Sequence, residues 1–206
     1  MSRIKVVFSV AGFVLFALFA FAGYTLTQNW ISLGFGSFHG DALDVSKPPV
    51  DFTLTSAGGK EVNLRDFRGK AVYLYFGYRL CPDICPMTLT QLKDMMAVIG
   101  PKADLVQVVM VSVDPERDTP DLIDEFVKRF DKRFIGLSGT PDEIASVAKE
   151  FGIFYQKQPG SANTGYLISH SASVLAIDPN GHLRVLYHPQ TEGVTMAADI
   201  DLLLRP

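Results

Sequence analysis

The sequence predicts an α/β fold class, and three observations carry that reading. Two apolar runs, Ala71 to Gly77 and Leu105 to Val113, are continuous rather than alternating, as in strands buried on both faces. Segments with apolar residues at helical spacing follow each of them. The chain then closes on a turn signal, Asp178-Pro-Asn-Gly181, flanked by two further apolar runs.

Composition agrees with a folded domain and removes other classes. Of 206 residues, 48% are apolar and 20% charged, and the net charge is −3. A disordered chain would carry fewer apolar residues and more net charge. Two cysteines are too few for a disulfide-dense scaffold. Slight acidity and the lack of a Lys/Arg-rich run argue against nucleic acid as a partner.

The elements follow in order. Asp51 to Thr55 alternates, Gly58-Gly59 turns, and Glu61 to Leu64 resumes, which reads as a β-hairpin. The strand at 71–77 comes next. Met87, Leu89, Leu92, Met95, Met96 and Ile99 then recur as on one helix face, giving a helix over 86–99 and a core place for the methionines. A strand over 105–113 precedes an amphipathic helix over 121–130. Thr140-Pro-Asp-Glu143 supplies an N-cap, a proline and an acidic first turn for a helix to about Phe151. Ser171 to Ile177 and His182 to Tyr187 form the closing strand pair, and a final helix spans about 191–204. The order β-α-β-α-β-β-α is that of a thioredoxin-like fold with an extra N-terminal β-hairpin and a helical insertion.

The N-terminus assigns the compartment. Arg3 and Lys5 precede Val6 to Ala22, which contains no charge. Such a run is long enough to span a hydrocarbon core of ~30 Å as a helix, and basic residues before it favour an inside N-terminus. The reading is an anchor over 1–27, a Gly- and Pro-containing tether over 28–49, and a domain over 50–206. Ala20-Phe-Ala22 also fits a signal-peptidase site. Both outcomes place the body on the exported side, with the membrane as a partner only through the N-terminal helix.

Cys81 and Cys85 sit four apart, after a buried strand and before a helix. Helix N-terminal amides lower a thiol's pKa, and Pro86 is tolerated where first-turn N–H groups lack partners. The pair can close a disulfide or chelate one soft ion. Among the histidines, His39 lies in the tether, His182 follows the turn and should face solvent, and His188 ends a strand. His170 stands where a strand enters the core. Two thiolates and one imidazole suit Cu(I). They leave one net negative charge, which Arg79 is placed to ease. Asp114 and Asp118 are hard donors unsuited to Cu(I). Asp118 or Thr119 is expected to cap the next helix, Asp83 to cap the helix after the cysteines, and Asp114 to lie beside the site.

These residues carry a resemblance. Phe76-Gly-Tyr-Arg-Leu-Cys-Pro-Asp-Ile-Cys-Pro86 is similar to a motif of the Sco/SenC family, as are Val111-Ser-Val-Asp-Pro-Glu-Arg-Asp-Thr-Pro120, Gly136-Leu-Ser-Gly-Thr140 and Gly165-Tyr-Leu-Ile-Ser-His170. The blocks occur in family order across residues 50–205. The resemblance implies a membrane-anchored, thioredoxin-like, copper-binding protein that helps assemble the binuclear copper centre of cytochrome c oxidase. Its metal ligands fall on Cys81, Cys85 and His170. The cofactor it implies is Cu(I), with Cu(II) also open to an exported site. The implied partners are subunit II of the oxidase or a similar copper-accepting client, and an exported copper donor. The location is the bacterial periplasm or the mitochondrial intermembrane space. Many members have Thr-His where this chain has Arg79-Leu80, and Asp where it has Ser169. The competing function for the same two cysteines is exported thiol–disulfide exchange that reduces client cysteines. A peroxidase-like role would require a group such as Arg79 to orient the peroxide.

Overall fold

The computed structural model describes residues 19–21, 37–44, 51–160 and 165–205. The chain divides into two compact units, 1–37 and 38–206. In the first, 19–21 are helical and Phe19 and Phe21 are exposed. The rest of the anchor expected over 1–27, and most of the tether over 28–49, lie outside the described residues. No helix among the described residues is long and apolar enough to cross a membrane.

The second unit holds the strands β1 (Asp41–Ala42), β2 (Thr53–Ser56), β3 (Lys60–Asn63), β4 (Ala71–Gly77) and β5 (Val106–Ser112). They are followed by β6 (Ile135–Leu137), β7 (Tyr155–Pro159), β8 (Tyr166–His170), β9 (Val174–Ile177) and β10 (Leu183–Tyr187). The helices are α1 (Ile84–Val98), α2 (Pro120–Lys128), α3 (Pro141–Glu150), α4 (Gly193–Ala198) and α5 (Ile200–Leu203). Six strands form the main sheet in the order β1-β10-β9-β4-β5-β6. β4, β5 and β6 run parallel, with a helix between each successive pair, and β9 enters antiparallel beside β4. The expected mixed α/β, thioredoxin-like order is present, with the hairpin β2–β3 before it.

Every residue of β4 is buried, in keeping with its unbroken apolar run. α1 lays Leu89, Leu92, Met95 and Met96 into the core, while Met87 is only half-buried. Gly136 of β6 lets α2 approach closely, since a Cβ there would lie 2.5 Å from the Ile123 carbonyl and the Asp124 nitrogen. Asp124 is thereby buried and satisfied, accepting from the Gly136 amide at 3.2 Å and from Lys128.

Several boundaries differ from the sequence reading, each for a local reason. The helix after the cysteines starts at Ile84, so Cys85 belongs to its first turn. The strand expected over 171–177 begins at Val174, because the Ser171 amide turns to the Phe154 carbonyl at 2.8 Å. The residues before it form β8, paired with β7 in a separate two-stranded ribbon. That ribbon was not expected: Gln156, Lys157 and Gln158 are exposed and give no apolar alternation. The last helix breaks at Asp199, whose carboxylate is fully buried and accepts from the His39 amide, the His39 ring and the Tyr187 hydroxyl. β1, inside the segment expected as a tether, pairs with β10 at the sheet edge.

Candidate metal centre

β4, an interior strand of the sheet, ends at Gly77, and the chain turns through Tyr78 to Asp83 into α1. Cys81 lies in that turn, half-buried, with its amide donating to the Tyr78 carbonyl at 3.3 Å. Cys85, on the first turn of α1, is fully buried. His170 ends β8 and reaches the same point from the other side, its Nε2 3.5 Å from Cys85 Sγ. The two sulfurs and an imidazole nitrogen all lie within 4.8 Å of one another, and both cysteines are free.

Two neighbours fit Cys85 into place. A Cβ on Gly77 would sit 2.9 Å from its sulfur, so this strand position accepts no larger side chain without displacing the thiol. The Tyr75 hydroxyl donates to the same sulfur at 3.4 Å. His170 is held by its other nitrogen: Nδ1 faces the Ser171 carbonyl at 3.2 Å. A carbonyl can only accept, so Nδ1 is the donor there and Nε2 is the nitrogen left facing the sulfurs. The ring edges of Tyr75 and Tyr78 enclose the imidazole, with centroids 6.2 and 5.8 Å away.

The two thiols are electrostatically unlike. The hydrogen bond from Cys85 pulls the Cys81 thiol down to about 4, with His170 and the amides of Asp83 and Cys85 adding to it against the cost of burial. The Cys85 thiol is pushed up, because it donates to Cys81 and because it is buried. Burial likewise pushes the Tyr75 phenol up, which keeps it a hydrogen-bond donor. The donor set is soft and one thiolate is already favoured, a combination that fits copper and disfavours hard cations.

Other residues singled out in the sequence lie elsewhere. Asp83 occupies the N-cap position of α1, but its side chain makes no capping bond, since its backbone is not in a capping conformation. Thr119 caps α2 through the Leu122 amide. Asp118 does not cap; it turns inward to accept from Ser112 Oγ at 2.8 Å and the Arg79 amide at 2.9 Å. Burial raises the Asp118 carboxyl, and the Arg79 guanidinium lies 3.5 Å from it rather than being free for the thiolates. Asp114 is buried against Arg117 and Tyr166. His39 bonds Asp199, His188 pairs with Asp41, and His182 is half-buried beside Asp178 rather than facing solvent. The sequence reading missed Tyr75 and Gly77. Their signal was period-2 spacing on one strand face, together with a buried tyrosine's need of a partner for its hydroxyl.

A family model described as SCO1/SenC matches residues 42–205. The chain belongs to the SCO1/SenC family. Among SCO1/SenC relatives, the mitochondrial protein SCO1 homolog of Homo sapiens is 32% identical over 158 residues, covering 75% of this chain and 52% of that protein. The SCO2-like protein of Rickettsia felis is 33% identical over 132 residues, 64% of each chain. The chain thus spans half to two thirds of the length of such curated relatives. Apo Sco1 of Thermus thermophilus superimposes with a TM-score of 0.73 at 41% identity, covering 83% of this chain and 99% of that one. ScoI of Arabidopsis thaliana, solved with copper bound, gives 0.71 at 34% identity over 76% of this chain and 98% of that one. SCO1/SenC membership accounts for the order of the sequence blocks and for the thioredoxin-like sheet.

Proposed function

We propose that this chain is a membrane-anchored copper metallochaperone, holding copper through Cys81, Cys85 and His170 for delivery to the binuclear centre of cytochrome c oxidase. The observation that carries the reading is the convergence of two free thiols and one oriented imidazole nitrogen within 4.8 Å. Copper-bound relatives from Arabidopsis thaliana and Bradyrhizobium japonicum support the choice of metal. Residues 1–27 serve as the anchor and the residues after them as the tether, while the exported copper-binding body takes in the edge strand β1 and so begins at Phe38 rather than at 50. Mitochondrial relatives favour the exported side.

In this reading copper is cargo. The reduced dithiol loads it as Cu(I), and Cys85 gives up its proton on loading, so binding strengthens as pH rises. Leu80, beside Cys81, and Phe154, bonded to Ser171, are exposed apolar residues near the ligand loops, available to a client. A client thiolate attacks the ion and the ligands are displaced in turn; Cys85 takes back a proton from water when freed, and Cys81 remains a thiolate. Anaerobic Cu(I) competition titration of the reduced protein tests the function. One copper per chain is expected, lost in Cys81→Ser/Cys85→Ser and weakened in His170→Ala. No tight binding by the reduced protein overturns the reading.

The unlike thiols favour a second reading, thiol–disulfide exchange. The Cys81 thiolate attacks a client disulfide and expels one client thiolate. Cys85 then loses its proton and attacks the mixed disulfide, releasing the second. The client gains two electrons, and Cys81–Cys85 becomes a disulfide that an external dithiol must reduce. Turnover preserved in His170→Ala, with no copper binding, selects this reading.

A further inference from the structure

The second motif, around Asp114 to Pro120, contributes no atom to the Cys81–Cys85–His170 cluster, yet it touches the element that carries the histidine. Asp114 is fully buried at the end of β5 and accepts from Arg117 Nε at 2.5 Å and from the Tyr166 hydroxyl at 2.6 Å. Both carboxylate oxygens are thus engaged. Arg117 reaches on to β8. Its Nη1 donates to the Tyr166 carbonyl at 3.0 Å, and its guanidinium carbon stacks 3.6 Å from the centroid of the Tyr166 ring. It also lies 6.0 Å from the Tyr78 ring.

Those contacts matter because of where β8 is. The β7–β8 ribbon pairs with no strand of the main sheet. A cavity of about 190 Å³, lined by Asp114, Glu116, Tyr155 and Lys157 among others, separates it in part from the loop after β5. Side chains rather than strand pairing therefore join the ribbon to the body: Ile168 is buried in the core, and Tyr155 and Tyr166 pack against it. Tyr166 begins β8 and His170 ends it. Between them the Ile168 amide donates to the Tyr78 hydroxyl at 3.2 Å, three residues before Cys81. Arg117 thus holds Tyr166, two residues before Ile168, and lies beside the Tyr78 ring.

We propose that Arg117, locked by Asp114, is a positioning residue for His170: it grips Tyr166 at the start of β8 and so sets where the imidazole meets the two thiols. The metal-binding consequence rests on the copper reading above; the positioning itself does not. A fork of N–H donors with a flat stacking face suits this grip, and a lysine's point charge does not.

The test uses the full chain with Arg117→Ala, Arg117→Lys and Tyr166→Phe, each also combined with His170→Ala. Loss of a group that orients a ligand costs roughly 10–100-fold in metal affinity. Arg117→Ala and Arg117→Lys are expected to weaken Cu(I) binding by about 10-fold or more on that scale, and Tyr166→Phe by less. In the His170→Ala background the same changes should leave the remaining affinity unaltered, because residues coupled through one ligand are non-additive. Equal losses in both backgrounds overturn the proposal. Amide exchange of the copper-free protein is the second readout: faster exchange at 167–170 with β4 and β5 unchanged is expected, and unaltered exchange at 167–170 also overturns it. Should the wild-type chain bind no copper, the function above fails and the exchange measurement alone decides the positioning. Should Arg117→Ala not fold, Arg117→Lys carries both comparisons.

Discussion

A single methyl group separates Gly77 from a displaced Cys85. The strand position faces the thiol, Tyr75 Cε1 and Met110 Cε, each within 3.0 Å of where a Cβ would stand. Gly77→Ala should cost about 1–3 kcal/mol of unfolding free energy in a denaturant titration, and weaken Cu(I) binding as well. Unchanged affinity would mean the sulfur is less constrained than its contacts indicate. The thiol asymmetry gives a second expectation. With Cys81 lowered to about 4 from an ordinary 9, its thiolate survives as pH falls. Iodoacetamide should label Cys81 at a nearly constant rate from pH 8 to pH 5 and slow only near pH 4, while Cys85 stays unlabelled. A tenfold slowing per unit below about pH 8.5 is the behaviour of an ordinary thiol and contradicts the arrangement. Tyr75→Phe removes the hydroxyl donated to Cys85 without changing the packed ring.

At the level of elements, what was legible depended on which interactions are local. β4 announced itself as a continuous apolar run, and α3 by its cap: Thr140 Oγ1 accepts the Glu143 amide at 3.3 Å, and the Glu143 carboxylate returns to the Thr140 amide at 2.7 Å. Thr140→Ala should therefore cost about 1 kcal/mol in chemical unfolding and leave copper affinity untouched, since α3 supplies no ligand. The two cysteines were readable for the same reason, because their spacing and neighbours are contiguous in sequence. His170 was not readable from position alone and came forward through resemblance to a family. Its strand pairs only with β7, which is polar and exposed, and a tertiary contact aims it. Tyr75, Arg117 and Tyr166 share that property. Their partners lie 10, 49 and 52 residues away for the bonds to Cys85, the Tyr166 carbonyl and Asp114. No local pattern encodes such pairings.

Across the whole molecule, residues 38–42 close the sheet edge. His39 gives the fully buried Asp199 two hydrogen bonds, at 2.9 Å from its amide and 2.6 Å from its ring, and Tyr187 gives a third. His39→Ala leaves that carboxylate short of a donor, and an unsatisfied buried polar group costs about 1–3 kcal/mol. Thermal unfolding should shift down accordingly, with the metal site intact, and an unmoved midpoint would show that water replaces the ring. The mixed sheet itself was foreseeable from the alternation of runs and helical spacings. The edge strand β1 was not, because two residues are too few to show a period.

The aromatic shell of the site has one further consequence, an optical one. The sole tryptophan, Trp30, precedes the unit that begins at Phe38. A fragment from Phe38 onward therefore fluoresces as tyrosine alone, and two of its phenols, Tyr75 and Tyr78, stand about 6 Å from the His170 ring. Tyrosine emission is a built-in gauge of what arrives between the sulfurs, free of indole background and needing no label.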